Sequence, residues 1–237
     1  MYSVNRHSKK ILYIIFFSIL WLLIISGISA ATVDGQIFSG IKMSKSLEQW
    51  RFTGEYQIRL NENLTALDNH YLEFTFPYMP SKHWEIVPDL RFSQYSDRFE
   101  FRPGFGVLYK LSWGKKIYVK QLIQQVKWQT DIESTGRIKH GLRYAVFYNQ
   151  MLNKKVMFNS GAGALYRWAD NYNGLQFIRM IAGIVYIFDS THSLTINPYL
   201  GMEDPFGQLE VTPGLVLIAN IQLKGNSKYR PARYISF

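Results

Sequence analysis

The sequence predicts an all-β protein: a single antiparallel transmembrane β-barrel of 10–12 strands behind a cleaved signal peptide. Three observations lead there. Long stretches alternate apolar and polar residues with period two, the spacing of an extended strand with one face in lipid and the other turned inwards. Beyond residue 31 every apolar run is interrupted within about ten residues by charge, Gly or Pro, well short of the ~20 residues a spanning helix needs. Aromatic residues collect at the ends of the alternating stretches. A chain of this kind crosses a bilayer only with strands closed into a ring, because a closed sheet leaves no backbone N–H or C=O unpaired in lipid.

The first segment reads as an export signal. Arg6, Lys9 and Lys10 precede an apolar run over 11–25, and Ser26, Gly27, Ser29, Ala30 and Ala31 follow it, so cleavage is expected near Ala30 or Ala31. The competing reading is an uncleaved anchor, since the run over 11–28 approaches spanning length. The expected organisation is therefore a signal peptide over 1–31 and one barrel domain over 32–237, a length that holds a single domain. Without the signal the chain keeps 24 of its 27 basic residues and all 17 acidic ones, a net charge of +7. That balance favours anionic partners such as lipopolysaccharide phosphates or acidic solutes, while export sets nucleic acid aside. The absence of cysteine excludes disulfides, thiolate metal sites, a cysteine nucleophile and a lipoprotein anchor.

The strands follow in order. Over 50–60, Trp50, Phe52, Gly54, Tyr56, Ile58 and Leu60 share one face and Arg51, Thr53, Glu55, Gln57 and Arg59 the other. Over 99–113 the odd positions from Phe99 to Trp113 are apolar and the even ones small or charged, with Leu108 as the exception. Over 137–149, Ile138, His140, Leu142, Tyr144, Val146 and Tyr148 oppose Arg137, Lys139, Gly141, Arg143, Ala145 and Phe147. Weaker strands are expected at 70–78, 84–95, 117–129, 155–168, 175–188, 194–202 and 209–223, separated by turn-forming segments. The apolar set of 117–129 changes parity, which predicts a bulge near 122–124. Terminal strands at 36–43 and 229–237 would bring the count to twelve, an even number that places both chain ends on the periplasmic side. The aromatic terminal residue Phe237 favours twelve, as the signal read by the outer-membrane assembly machinery; Pro231 and Arg233 on its face depart from that pattern.

A lipocalin-like cup or a β-sandwich is the soluble alternative. Stretches of twelve to fifteen residues are long for soluble sheets, whose strands run ~5–6 residues, but suit a tilted membrane strand. Trp50, Trp84, Tyr95, Phe99, Trp113, Trp128, Trp168 and Phe188 at strand ends would form interfacial girdles. The pattern over 84–91 and 99–109, with Phe237 at the end, resembles small outer-membrane barrels of Gram-negative bacteria and, more loosely, the monomeric oligogalacturonate-specific porins. The resemblance covers about 36–237 and no single motif in it is diagnostic. It implies residence in the outer membrane, contact with its lipid and lipopolysaccharide, and a narrow channel whose basic residues face an acidic sugar chain.

If the apolar faces meet lipid, the other faces bring Arg51, Glu55, Arg59, Arg91, Glu100, Arg102, Lys110, Lys120, Arg143 and Arg167 to the interior as candidate channel-lining residues, together with Glu85, Asp89, Arg137 and Lys139. That set holds ten bases and four acids. An excess of fixed positive charge in a narrow lumen lowers the barrier for anions, which supports an anion-preferring channel for small acidic solutes. The same residues support a second reading, a structural barrel plugged by pairs such as Arg51 with Glu100 or Arg102 with Glu55. An outer-membrane lipid-modifying enzyme would need a hydroxyl, a base and an orienting group within reach. His192 with Ser193 and Asp189, His140, and His70 with Glu73 and Thr65 offer no such set, so no catalytic residue is assigned. The five histidines are scattered, so no metal site and no cofactor is expected.

Overall fold

The computed structural model describes residues 32–114, 119–169, 172–206 and 208–233. The expected signal peptide and Phe237 lie outside them. No helix among the described residues is long and apolar enough to cross a membrane. The described chain is instead a ring of strands: a two-residue β1 (Thr32–Val33), then β2 (Gln36–Glu48), β3 (Trp50–Asn61), β4 (Ala66–Thr75), β5 (Trp84–Tyr95), β6 (Phe99–Trp113), β7 (Lys120–Glu133), β8 (Ile138–Met151), β9 (Val156–Ala169), β10 (Tyr172–Ile187), β11 (His192–Glu203) and β12 (Glu210–Ser227). Each of β2 to β12 pairs antiparallel with its neighbour in sequence, and β12 returns to β2 to close the ring.

The barrel wall therefore has the eleven strands β2 to β12, and the closing pair is parallel, running from Gly214 against Gln36 to Ser227 against Glu48. An odd number of alternating strands brings the first and the last round pointing the same way, so only a parallel ladder can join them. This corrects two expectations. The count is not even, so Gln36 and Ser227 stand at opposite rims, here called the N-terminal and C-terminal rims. Residues 229–233 are not a strand, because β12 has already found its partner in β2 and offers no free edge. The little β1 adds a parallel contact to the start of β12 at the N-terminal rim.

Alternation sorts the side chains as the sequence predicts. The outward residues Ile41, Phe52, Tyr56, Leu72, Phe92, Phe105, Val126, Leu142, Tyr144 and Ile184, from eight strands of the wall, all remain exposed. A continuous apolar belt round a closed barrel is the surface that lipid covers, which makes this a barrel of the transmembrane kind. Aromatic pairs edge it: Trp50 with Tyr78 at 4.7 Å and Trp84 with Tyr109 at 4.9 Å towards the C-terminal rim, Trp128 with Trp168 at 4.9 Å towards the other.

The expected bulge near 122–124 is absent. β7 keeps one register against β6 and against β8, with Ile123 fully buried inside and Gln124 outside. One exposed glutamine on the belt is tolerated more readily than a break that would turn Lys127 and Asp131 into lipid. Register shifts occur elsewhere, at Arg59/Leu60, Leu175/Phe177 and Leu223/Asn226. Leu108, the exception to alternation in β6, belongs to the interior core at 0% exposure.

Candidate functional site

The interior is the one place where this wall gathers charge, and its inward positions come from the polar face of each strand. Glu55, Arg91, Glu100, Arg102, Lys110 and Arg143 are buried there, and Arg51, Arg59 and Arg167 half-buried. Lys120 is not. It has the parity of Leu122, Val126 and Trp128 and stands on the outer face at the end of β7, because the strand runs straight where a bulge was expected. Arg137 sits in the exposed β7–β8 turn.

Four acids and three bases that sequence reasoning missed join the set: Glu73, Asp131, Glu133, Glu203, Lys42, Lys127 and Arg179. The pairs span neighbouring strands or reach across one strand between. Lys42 meets Glu55 at 2.9 Å, Lys127 meets Asp89 at 2.7 Å and Arg179 meets Glu203 at 2.6 Å. Lys110 pairs with Glu85, Lys139 with Glu133 and Arg167 with Asp131. Glu73 receives both Arg91 at 2.5 Å and Arg102 at 3.3 Å, and Arg102 extends to Asp131 at 3.9 Å, so the network runs continuously from β4 to β9.

The two pairs expected from sequence do not form. Arg51 stands near the C-terminal rim and Glu100 near the opposite one, while Glu55 faces Lys42 across the β2–β3 ladder and leaves Arg102 to Glu73. Rings complete the packing: Arg91 lies 3.9 Å over Tyr71, Arg59 4.3 Å over Phe38 and Arg179 4.4 Å over Phe177, a favourable arrangement for a cation over a π face. Arg143 donates to Gln129 and has no carboxylate within 4 Å among the described residues.

Along the length of the barrel these groups are almost wholly shielded from solvent. Gln57 and Gln129 are 0% exposed, Lys110, Glu85 and Asp131 1%, and Glu55, Glu73, Asp89 and Arg91 2%. Towards the C-terminal rim the interior opens into a vestibule of about 830 Å³, whose walls include Lys42, Ser44, Arg51, Gln121, Asn149 and Asn159. Residues 228–233 turn back into it. There Ala232 N–H donates to Glu85 Oε1 at 2.6 Å, and Lys110 Nζ donates to the Arg230 carbonyl at 2.5 Å.

The histidines are arranged for structure. His192 and Thr191 cap the exposed β10–β11 turn on Asp189, with His192 Nδ1 2.9 Å from Asp189 Oδ2. Hydrogen bonds from Thr191, then from His192, hold the Asp189 carboxyl well below the usual carboxylate range. Ser193 takes the opposite face of β11 and stays out of the cluster. His140 bonds Thr130 at 3.0 Å beside the paired rings of Trp128 and Trp168, and His70 faces outwards to Tyr56, away from Glu73. No cluster of metal-ligating side chains occurs among the described residues.

No family model and no curated protein matches the chain. Among solved structures, the NanC porin in its rhombohedral crystal form is similar over 71% of this chain and 87% of that chain, at 11% identity and a TM-score of 0.42. The likeness is loose, as the strand pattern suggested, and the barrel itself rests on this chain's own ladder and lipid-facing belt.

Proposed function

We propose that this chain is an outer-membrane protein of a Gram-negative bacterium, exported by a signal peptide over 1–31, with a barrel domain whose waist is closed by paired charges. Its task in this reading is structural, with a water-filled vestibule at one rim and no open diffusion path. The observation that carries it is the inaccessibility of the interior acids and bases, most of them facing an opposite charge or an amide. Removing one partner of such a pair leaves an uncompensated buried charge, so the network resists being parted by a passing ion. With Lys120 and Arg137 outside the interior and four missed acids set against three missed bases, the positive excess on which an anion preference depended is smaller than the sequence suggested.

A second reading, a narrow anion-preferring channel, is favoured by the vestibule, where Lys42, Arg51, Lys154, Arg230 and Arg233 outnumber Glu85 and Asp189. Neither reading calls on catalysis. Lipid and lipopolysaccharide surround the belt in both, and the terminal Phe237 would address the chain to the assembly machinery.

Planar-bilayer recording of the refolded barrel decides between the two. The closed barrel gives no resolvable unitary current. A clear current with anion preference that falls in Arg102→Glu or Arg143→Glu would replace it with the channel. Localisation is tested first by fractionation and by comparing gel mobility with and without boiling: a heat-dependent shift in the outer-membrane fraction is expected, and a soluble periplasmic protein without a shift would remove both readings.

A further inference from the structure

The tail over 228–233 is tied to the vestibule through its main chain. Besides the bonds to Glu85 and Lys110, Arg51 Nη1 donates to the Ala232 carbonyl at 3.4 Å, Asn149 Nδ2 donates to the Arg233 carbonyl at 2.7 Å, and Arg233 N–H donates to Gln121 Oε1 at 3.3 Å. Five side chains from five strands thus hold five main-chain groups of Arg230, Ala232 and Arg233, in a segment that belongs to no sheet. Ala232, 2% exposed, is the pivot.

The wall does not need the tail in return. Lys110 and Glu85 pair with each other, and Arg51 also donates to Ser44 at 3.0 Å. The tail's charge works against its lodging: Arg230 and Arg233 enter a vestibule already lined by Lys42, Arg51 and Lys154, and neither has a carboxylate within 4 Å among the described residues. Main-chain hydrogen bonds pull the segment in while like charge pushes it out, a balance that small changes can tip.

We propose that residues 228–233 form a displaceable strap across the vestibule floor, an intramolecular occupant that must leave before Lys110, Gln121 and Asn149 can bond to an entering solute. The inference goes beyond the closed-barrel reading and does not depend on whether the waist conducts.

The chain has no cysteine, so a single introduced thiol reports cleanly. Full-length Ala232→Cys and, as an exposed reference, Ser227→Cys are refolded in detergent, shown to be folded by gel mobility without boiling, and reacted with a small anionic thiosulfonate reagent. The strap is expected to slow labelling at 232 by at least about tenfold relative to 227 while still letting it go to completion, as local opening from a folded state does. Adding Gln121→Ala and Asn149→Ala, which remove two anchors and leave the ion pairs intact, should bring the rate at 232 close to that at 227. Equal rates in the parent would mean that the tail is not lodged. Complete protection at 232 even with both anchors removed would mean that it is a fixed part of the wall. Either result overturns the proposal.

Discussion

From β3 to β8 the inner wall is held largely by acids and bases in contact, whereas from β9 round through β12 to β2 it is held mostly by Phe177, Ile181, Tyr199, Val216, Ile218 and Phe38, with Arg179 and Glu203 as the one ion pair among the described residues that lies wholly within it. The two halves fill the same ring by different means. In the apolar half and at its border with β8, large rings lie over glycines on the neighbouring strand: Phe147 of β8 over Gly161 of β9 and Tyr199 over Gly214, each ring so close that an added Cβ would stand 2.6 Å and 2.4 Å from it. Glycine is required there because the facing ring already occupies the volume a side chain would take. In the charged half the volume is filled by long side chains whose heads must meet a partner, so geometry and charge have to agree together. The lesson is that a barrel interior of eleven strands can be closed by shape alone on one side and by pairing on the other, and the two sides should fail differently.

The largest effect is expected from Glu73→Ala. This carboxylate is shared by Arg91 and Arg102, and its loss leaves two buried guanidinium groups with a single acceptor gone; we expect about 3–5 kcal/mol of destabilisation, read as a lower denaturant midpoint for loss of the folded gel band. A midpoint unchanged from the parent would show that the charged half does not depend on pairing.

Gly161→Ala probes the other half, with about 1–3 kcal/mol lost because the methyl group meets the Phe147 ring and the Val146 carbonyl, 3.0 Å away. Coupling it with Phe147→Leu, which trims the ring, should recover part of that loss. If no recovery follows, the ring and the glycine are not one packing unit.

The smallest net change is expected from replacing both members of a charged pair, Asp89→Leu with Lys127→Met, which we place within about 1.5 kcal/mol of the parent, although either single substitution should cost more. A double variant as damaged as the worse single one would mean that the pair holds more than its own charge balance.

Much of the wall was legible before the structure. The strands Trp84–Tyr95 and Phe99–Trp113 have the bounds the alternation gives, and the outward set of β8 is the one read from Ile138, His140, Leu142, Tyr144, Val146 and Tyr148. Legibility failed where alternation was weak. In β7 the polar row Gln121, Gln125, Lys127, Gln129, Asp131 and Glu133 has one parity throughout, but Ile117 and Val119, of the opposite parity to Val126 and Trp128, made a bulge look necessary, and Val119 stands before the strand begins. Following the six polar residues instead of the apolar ones would have brought Lys127 and Asp131 inside and left Lys120 out. Glu73 was missed for a related reason: its strand offers only ten residues, with polar groups on both faces.

The sequence by itself determined the all-β class, the strand faces and the aromatic belts, because each depends on neighbours one or two residues apart in an extended chain. Only the tertiary structure decided the closure of β12 on β2, the partner of each inner charge and the inward turn of 228–233. These depend on which residues meet across the ring: Glu85 bonds a backbone N–H 147 positions away at Ala232, a separation over which no local periodicity carries information.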